Sequence, residues 1–174
     1  MTSAPIAQQR LLIDLQDLDS HLARLRHERK HLPVLTRIEA VIERLKANKR
    51  AAIRAEAALD EAKKQATRSE DEVGQVARRA EVLRERLHSG SSAARDLSAI
   101  QGEIDQLGQR QSALEEAQIV AMEALDSARQ EAERLSQEEA EIRAAGRELT
   151  AKRDAEFARL DEEIESLENQ RADL

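Results

Sequence analysis

The sequence predicts an all-α fold, a long antiparallel coiled-coil helical hairpin. Apolar residues recur at heptad spacing along most of the chain. One strong break, Ser89-Gly90-Ser91-Ser92, lies close to mid-chain. Two helices of similar length joined by a short loop pack antiparallel. The composition agrees: 36% of the residues are charged, and Phe157 is the sole aromatic. A compact core of this size would draw on several aromatics for volume. Here a single layer of Leu, Ile, Val and Ala along a seam takes that role.

The first arm is expected over about 5–88. It opens with Leu11, Leu15, Leu18, Leu22, Leu25 and Leu32. From Ile38 a second frame runs two residues out of phase. Its a positions are Ile38, Leu45, Ala52, Leu59, Ala66, Val73, Ala80 and Leu87, and its d positions run from Val41 through Asn48 and Ser69 to Leu83. Pro33 sits at the slip. It lacks an amide hydrogen and clashes with the preceding turn, so a kink or short break is expected there.

The tip loop is expected at 89–92, with Gly90 in the left-handed conformation that ends helices and Ser91 or Ser92 capping the next one. The second arm, about 93–174, carries a frame from Leu97 through Ile100, Ile104 and Leu107 to Leu149. The frame slips and resumes at Phe157, Leu160, Ile164 and Leu167. Gly146 lies near that slip. With the loop centred near residue 90, it falls opposite Pro33, so both arms are expected to kink at one level.

Antiparallel seams place a against d, so facing residue numbers sum to a constant. A sum near 180 pairs large with small residues, as in Leu59 with Ala121, and needs the shorter loop. A sum near 187 is the next allowed register and pairs Asn48 with Glu139. The shorter loop favours 180. Polar seam residues such as Asn48, Ser69 and Gln111 are expected to fix register at some cost in stability.

Charge divides the chain. Residues 1–90 carry 18 Lys and Arg against 14 Asp and Glu; residues 91–174 carry 10 against 21. The halves are complementary, as two helices lying side by side require. The net charge of −7 gives no bulk attraction to nucleic acid or to an anionic membrane. There is no Cys for disulfides, thiol chemistry or Cys-ligated zinc. No apolar run reaches the roughly 18 residues that span a bilayer. The first residues lack the basic and apolar regions of a secretory signal, so the expected compartment is the cytoplasm.

No catalytic constellation stands out, and the chain is read as a non-enzyme with no cofactor or metal of its own. His27 and His31 share a helix face at a ligating spacing, but no third ligand accompanies them. Ser89-Gly90 lacks the Lys and spacing of a phosphate loop. The candidate contact site is a basic patch at the tip: Arg78, Arg79, Arg84, Arg86, His88 and Arg95. Such a patch suits a protein partner or, as an alternative, the phosphates of RNA or DNA. Glu81, Glu85 and Asp96 dilute it, and no aromatic is present to stack on bases.

The stretch Leu11-Leu12-Ile13-Asp14-Leu15-Gln16-Asp17-Leu18-Asp19, the Leu32-Pro33 break, the Ser89-Gly90 tip and the return segment Asp96-Leu97-Ser98-Ala99-Ile100-Gln101-Gly102-Glu103-Ile104 resemble the bacterial coiled-coil plus C4-type zinc-ribbon proteins, actinobacterial members above all. The resemblance covers most of the chain. It implies a helical hairpin followed by a small zinc ribbon with two CxxC pairs, and a role in binding protein or nucleic acid. Relatives in flagellated bacteria and chlamydiae are associated with an alternative sigma factor, with flagellar or secretion components, and with messenger RNA. This chain has no Cys, so any ribbon, and any zinc, belongs beyond Leu174. The expected function is that of an adaptor or scaffold with a protein partner. A nucleic-acid-binding arm and a structural spacer, with homodimerisation, are the alternatives.

Overall fold

A computed structural model describes residues 5–90 and 93–174. They form three helices: α1 (Ile6–Lys30), α2 (Pro33–His88) and α3 (Ala94–Ala172). Among the described residues there is no strand. The chain divides into two units, one of residues up to Ala47 together with Glu139–Leu174, the other of Asn48–Glu138.

In the first unit, the expected break at Pro33 separates α1 from α2. Proline is tolerated at the first position of a helix, where its missing amide hydrogen has no partner to lose. The amide of His31 bonds back to the carbonyls of His27 and Glu28, both at 3.1 Å, and closes α1. The His31 ring reinforces this end: its Nδ1 lies 2.8 Å from the His27 carbonyl, and the two imidazoles stack at 4.1 Å. That bond assigns the Nδ1 proton to His31 as donor.

The break absorbs the slip between the two heptad frames. On either side of it Leu25, Leu32 and Val34 pack with Leu160, which is fully buried. Phe157, Ile164, Leu167 and Leu149 surround this cluster. Arg29 falls in the α1 frame between Leu25 and Leu32. Its guanidinium lies 4.2 Å from the centre of the Phe157 ring, and its Nε donates to Asp161 at 2.7 Å. The apolar stem thus lines the seam while the charged head reaches a partner. Exposed pairs such as Arg171 with Asp19 flank this layer and contribute little each.

The expected kink near Gly146 is not a helix end. α3 continues through it, since a single helical glycine costs only about 1 kcal/mol and strong helix formers surround it.

The second unit is the hairpin proper, with α2 and α3 antiparallel. Every predicted seam position from Asn48 to Leu87 is buried or half-buried, as is every one from Leu97 to Leu135. The tip lies at Gly90, whose φ of 67° is the left-handed conformation expected there. Arg86 and His88 occupy the last turn of α2, where positive charge suits the helix dipole, and Asp96 occupies the first turn of α3. Ser89 donates its hydroxyl to the Arg86 carbonyl at 2.8 Å. The cap expected of Ser91 or Ser92 lies outside the described residues.

The preferred register is corrected. In the first unit, a β-carbon on Gly146 would stand 3.4 Å from Val41 Cγ1, which makes these residues facing neighbours and sets the sum at 187. A sum of 180 would set Val41 two helical turns away from Gly146. In the second unit the same sum places Leu83 opposite Ile104 and Leu87 opposite Ile100, which pack in one cluster.

Asn48 is buried at 3% exposure, and its Nδ2 donates to the Leu135 carbonyl at 3.1 Å. Its Oδ1 is buried with no hydrogen-bond partner. An unmatched buried acceptor costs about 1–3 kcal/mol, so this residue spends stability on alignment. Asn48→Leu is therefore expected to raise stability by about 1 kcal/mol in urea unfolding followed by circular dichroism. A fall in stability would show that the amide contributes more than its unpaired oxygen costs.

Candidate functional site at the hairpin tip

Arg78, Arg79, Arg84 and Arg86 lie on the last turns of α2, His88 ends that helix, and Arg95 lies in the first turn of α3. All six are exposed, because the apolar positions Ala80, Leu83 and Leu87 turn the opposite face of α2 into the seam. Gly90 reverses the chain and brings Arg95 back to the same end of the hairpin as Arg86 and His88.

The patch is not uniform. Arg79 reaches across the seam to Glu103 at 3.2 Å, and Arg84 pairs with Glu81 at 3.7 Å along its own helix. The Arg78 guanidinium folds back over Gly74, with a nitrogen 3.3 Å from where a β-carbon would stand. Arg86, His88 and Arg95 have no ion pair among the described residues. Of the six predicted residues, Arg79 and Arg84 are thus tied by ion pairs, while Arg78, Arg86, His88 and Arg95 have none among the described residues. Free cations keep their charge for a partner, whereas a tied one must first break a pair.

Sequence reasoning missed a second concave surface. In the first unit an open groove of about 620 Å³ lies between Ile38–Leu45 of α2 and Ile142–Asp154 of α3. Gly146 at a seam position, beside a basic stretch of α3, was the readable signal. His27 and His31 stack together, but among the described residues no group of three or more potential ligands could hold a metal ion. No described helix is long and apolar enough to cross a membrane.

Comparison with known proteins agrees with this geometry. A family model described as a CT398-like coiled coil hairpin domain matches residues 15–174. Uncharacterized proteins of Mycobacterium tuberculosis, from strains CDC 1551 and H37Rv, are each 38% identical over 122 residues, covering 69% of this chain and 49% of the relative. The chain therefore spans about half the length of the curated relatives it matches. A solved structure from Mycobacterium smegmatis superposes with a TM-score of 0.78 at 26% identity, covering 98% of this chain and 71% of that one.

Proposed function

Because the chain belongs to the CT398-like coiled-coil hairpin domain family, we propose that it acts as a non-enzymatic adaptor whose hairpin tip engages a protein partner in the cytoplasm. The observation that carries this reading is that Arg86 and Arg95, beside the exposed His88, stand at the end of the hairpin with no ion pair among the described residues, while Arg79 and Arg84 behind them are paired. A rigid seam behind the tip pre-orders the contact, so little entropy is lost on binding. The nucleic-acid alternative has weaker support. Two of the five tip arginines are already paired, and no Phe, Tyr or Trp lies on α2 or at the tip to stack on bases.

The tip is tested by photo-crosslinking in cells from an unnatural residue at position 93. With the charges intact, a discrete protein adduct is expected. Combined Arg86→Glu and Arg95→Glu should cut its yield about tenfold, since two attractive contacts become repulsive. An unchanged yield would remove the tip as the contact. An RNA adduct that fades steeply with salt would favour the alternative.

A further inference from the structure

The groove of the first unit carries a more specific inference. Its floor is apolar: the half-buried Val41 and Leu45 of α2 face Gly146 of α3, with the fully buried Ile142 beneath them. Gly146 opens it, because a larger residue at this seam position would fill the space above Val41. The sides of the groove rise on Ile38 and Ile42, and Ile42 is 46% exposed although it is large and apolar. A wall of exposed apolar atoms over an apolar floor is the surface a partner covers.

The rim names the partner's charge. Arg143, Arg147 and Arg153 line one side, with Asp154 at the end. Arg143 pairs with Glu139 at 2.9 Å and Arg153 with Asp154 at 3.1 Å, while Arg147 is exposed and has no ion pair among the described residues. This is unusual for its helix. α3 is strongly acidic, yet residues 143–153 hold Arg143, Arg147, Lys152 and Arg153 against a single acid, Glu148. The basic segment coincides with the groove.

The geometry points to the groove as a docking site for an acidic amphipathic helix of another protein. Its apolar face lies along Val41, Ile42 and Leu45 as a third helix beside the pair, and its carboxylates meet Arg143 and Arg147. A groove between two antiparallel helices lying side by side fits a helix better than a strand, because anchors at i, i+3 or i+4 and i+7 match the spacing of the floor residues. The inference rests on the adaptor reading only in taking the partner to be a protein. The groove and the tip lie in separate units and respond to separate substitutions.

The probe is a fluorescein-labelled helical peptide of about four turns, with leucines on one face and glutamates flanking them. A twin carries lysine in place of every glutamate. Fluorescence anisotropy with the full chain should show saturable binding of the glutamate peptide and at least about tenfold weaker binding of the lysine twin. Gly146→Leu, which fills the floor, and Arg147→Glu, an exposed change that leaves the seam intact, should each weaken the glutamate peptide about tenfold. Arg86→Glu at the tip should leave it unchanged. Equal binding of both peptides, no binding, or indifference to Arg147→Glu overturns the inference. A self-dimer in analytical ultracentrifugation that dissociates with Gly146→Leu also overturns it, by making a second copy the occupant.

Discussion

Leu160→Ala is expected to lower the stability of the chain by about 3 kcal/mol, within the range seen when a buried leucine is truncated and its cavity cannot collapse. Leu160 has no exposed surface and touches the cluster from which Leu25, Leu32 and Val34 are drawn. Those three flank the break between α1 and α2. At such a place no backbone hydrogen bond carries the chain across, so side-chain packing against α3 holds α1 to the rest of the first unit. Truncating Leu160 removes the fully buried α3 member of the cluster that holds Leu25 and Leu32. The loss should fall first on α1. Hydrogen exchange should rise in residues 6–30 at denaturant concentrations that leave residues 48–90 protected. Leu174→Ala serves as the control, since Leu174 is 50% exposed and its truncation should change stability by less than about 0.5 kcal/mol. Equal effects of the two substitutions, or uniform exchange across both segments, would contradict the assignment of α1's anchorage to this cluster.

The seam, the tip and the α1–α2 break were all legible in the sequence for one reason: each is set by local chemistry. A heptad position reports its own burial. Gly90 and Pro33 act on the backbone within one turn of themselves, and both behave as their chemistry requires. Register is different, because it depends on which of two distant segments meet. Large residues face small ones at either constant: Leu59 meets Ala121 at one and Ala128 at the other. Loop length then tipped the reading toward the wrong one. α3 starts at Ala94, several residues before Ile100 joins the cluster, so a longer path at the tip is accommodated as helix. At Gly146 the helix runs on, and the glycine, facing Val41, leaves a depression in the seam. The six tip residues could be located from the sequence. Their division into tied and free could not, because the bond from Arg79 to Glu103 exists only once the two arms are aligned.

Alignment can be tested with two disulfides that differ only in register. A sum of 187 places Leu59 opposite Ala128, and both lie on the seam, Leu59 at 8% exposure. Facing a and d residues of an antiparallel pair bring their β-carbons within the short separation a disulfide requires. Leu59→Cys with Ala128→Cys should therefore oxidise readily in air. The bond would close a loop of about 70 residues, which in the chain-entropy model stabilises by about 4 kcal/mol, less the loss of the Leu59 side chain. Leu59→Cys with Ala121→Cys places the second thiol seven residues away along α3, about 10 Å from the first. That pair should stay reduced under the same conditions, or form slowly and shift the unfolding midpoint downward. Non-reducing electrophoresis reads the first result and urea unfolding of the oxidised proteins reads the second. The opposite ranking would restore a sum of 180. Equal, rapid oxidation of both pairs would mean that the second unit slides between registers. The buried Asn48 amide would then fail at the one task that justifies its unpaired oxygen.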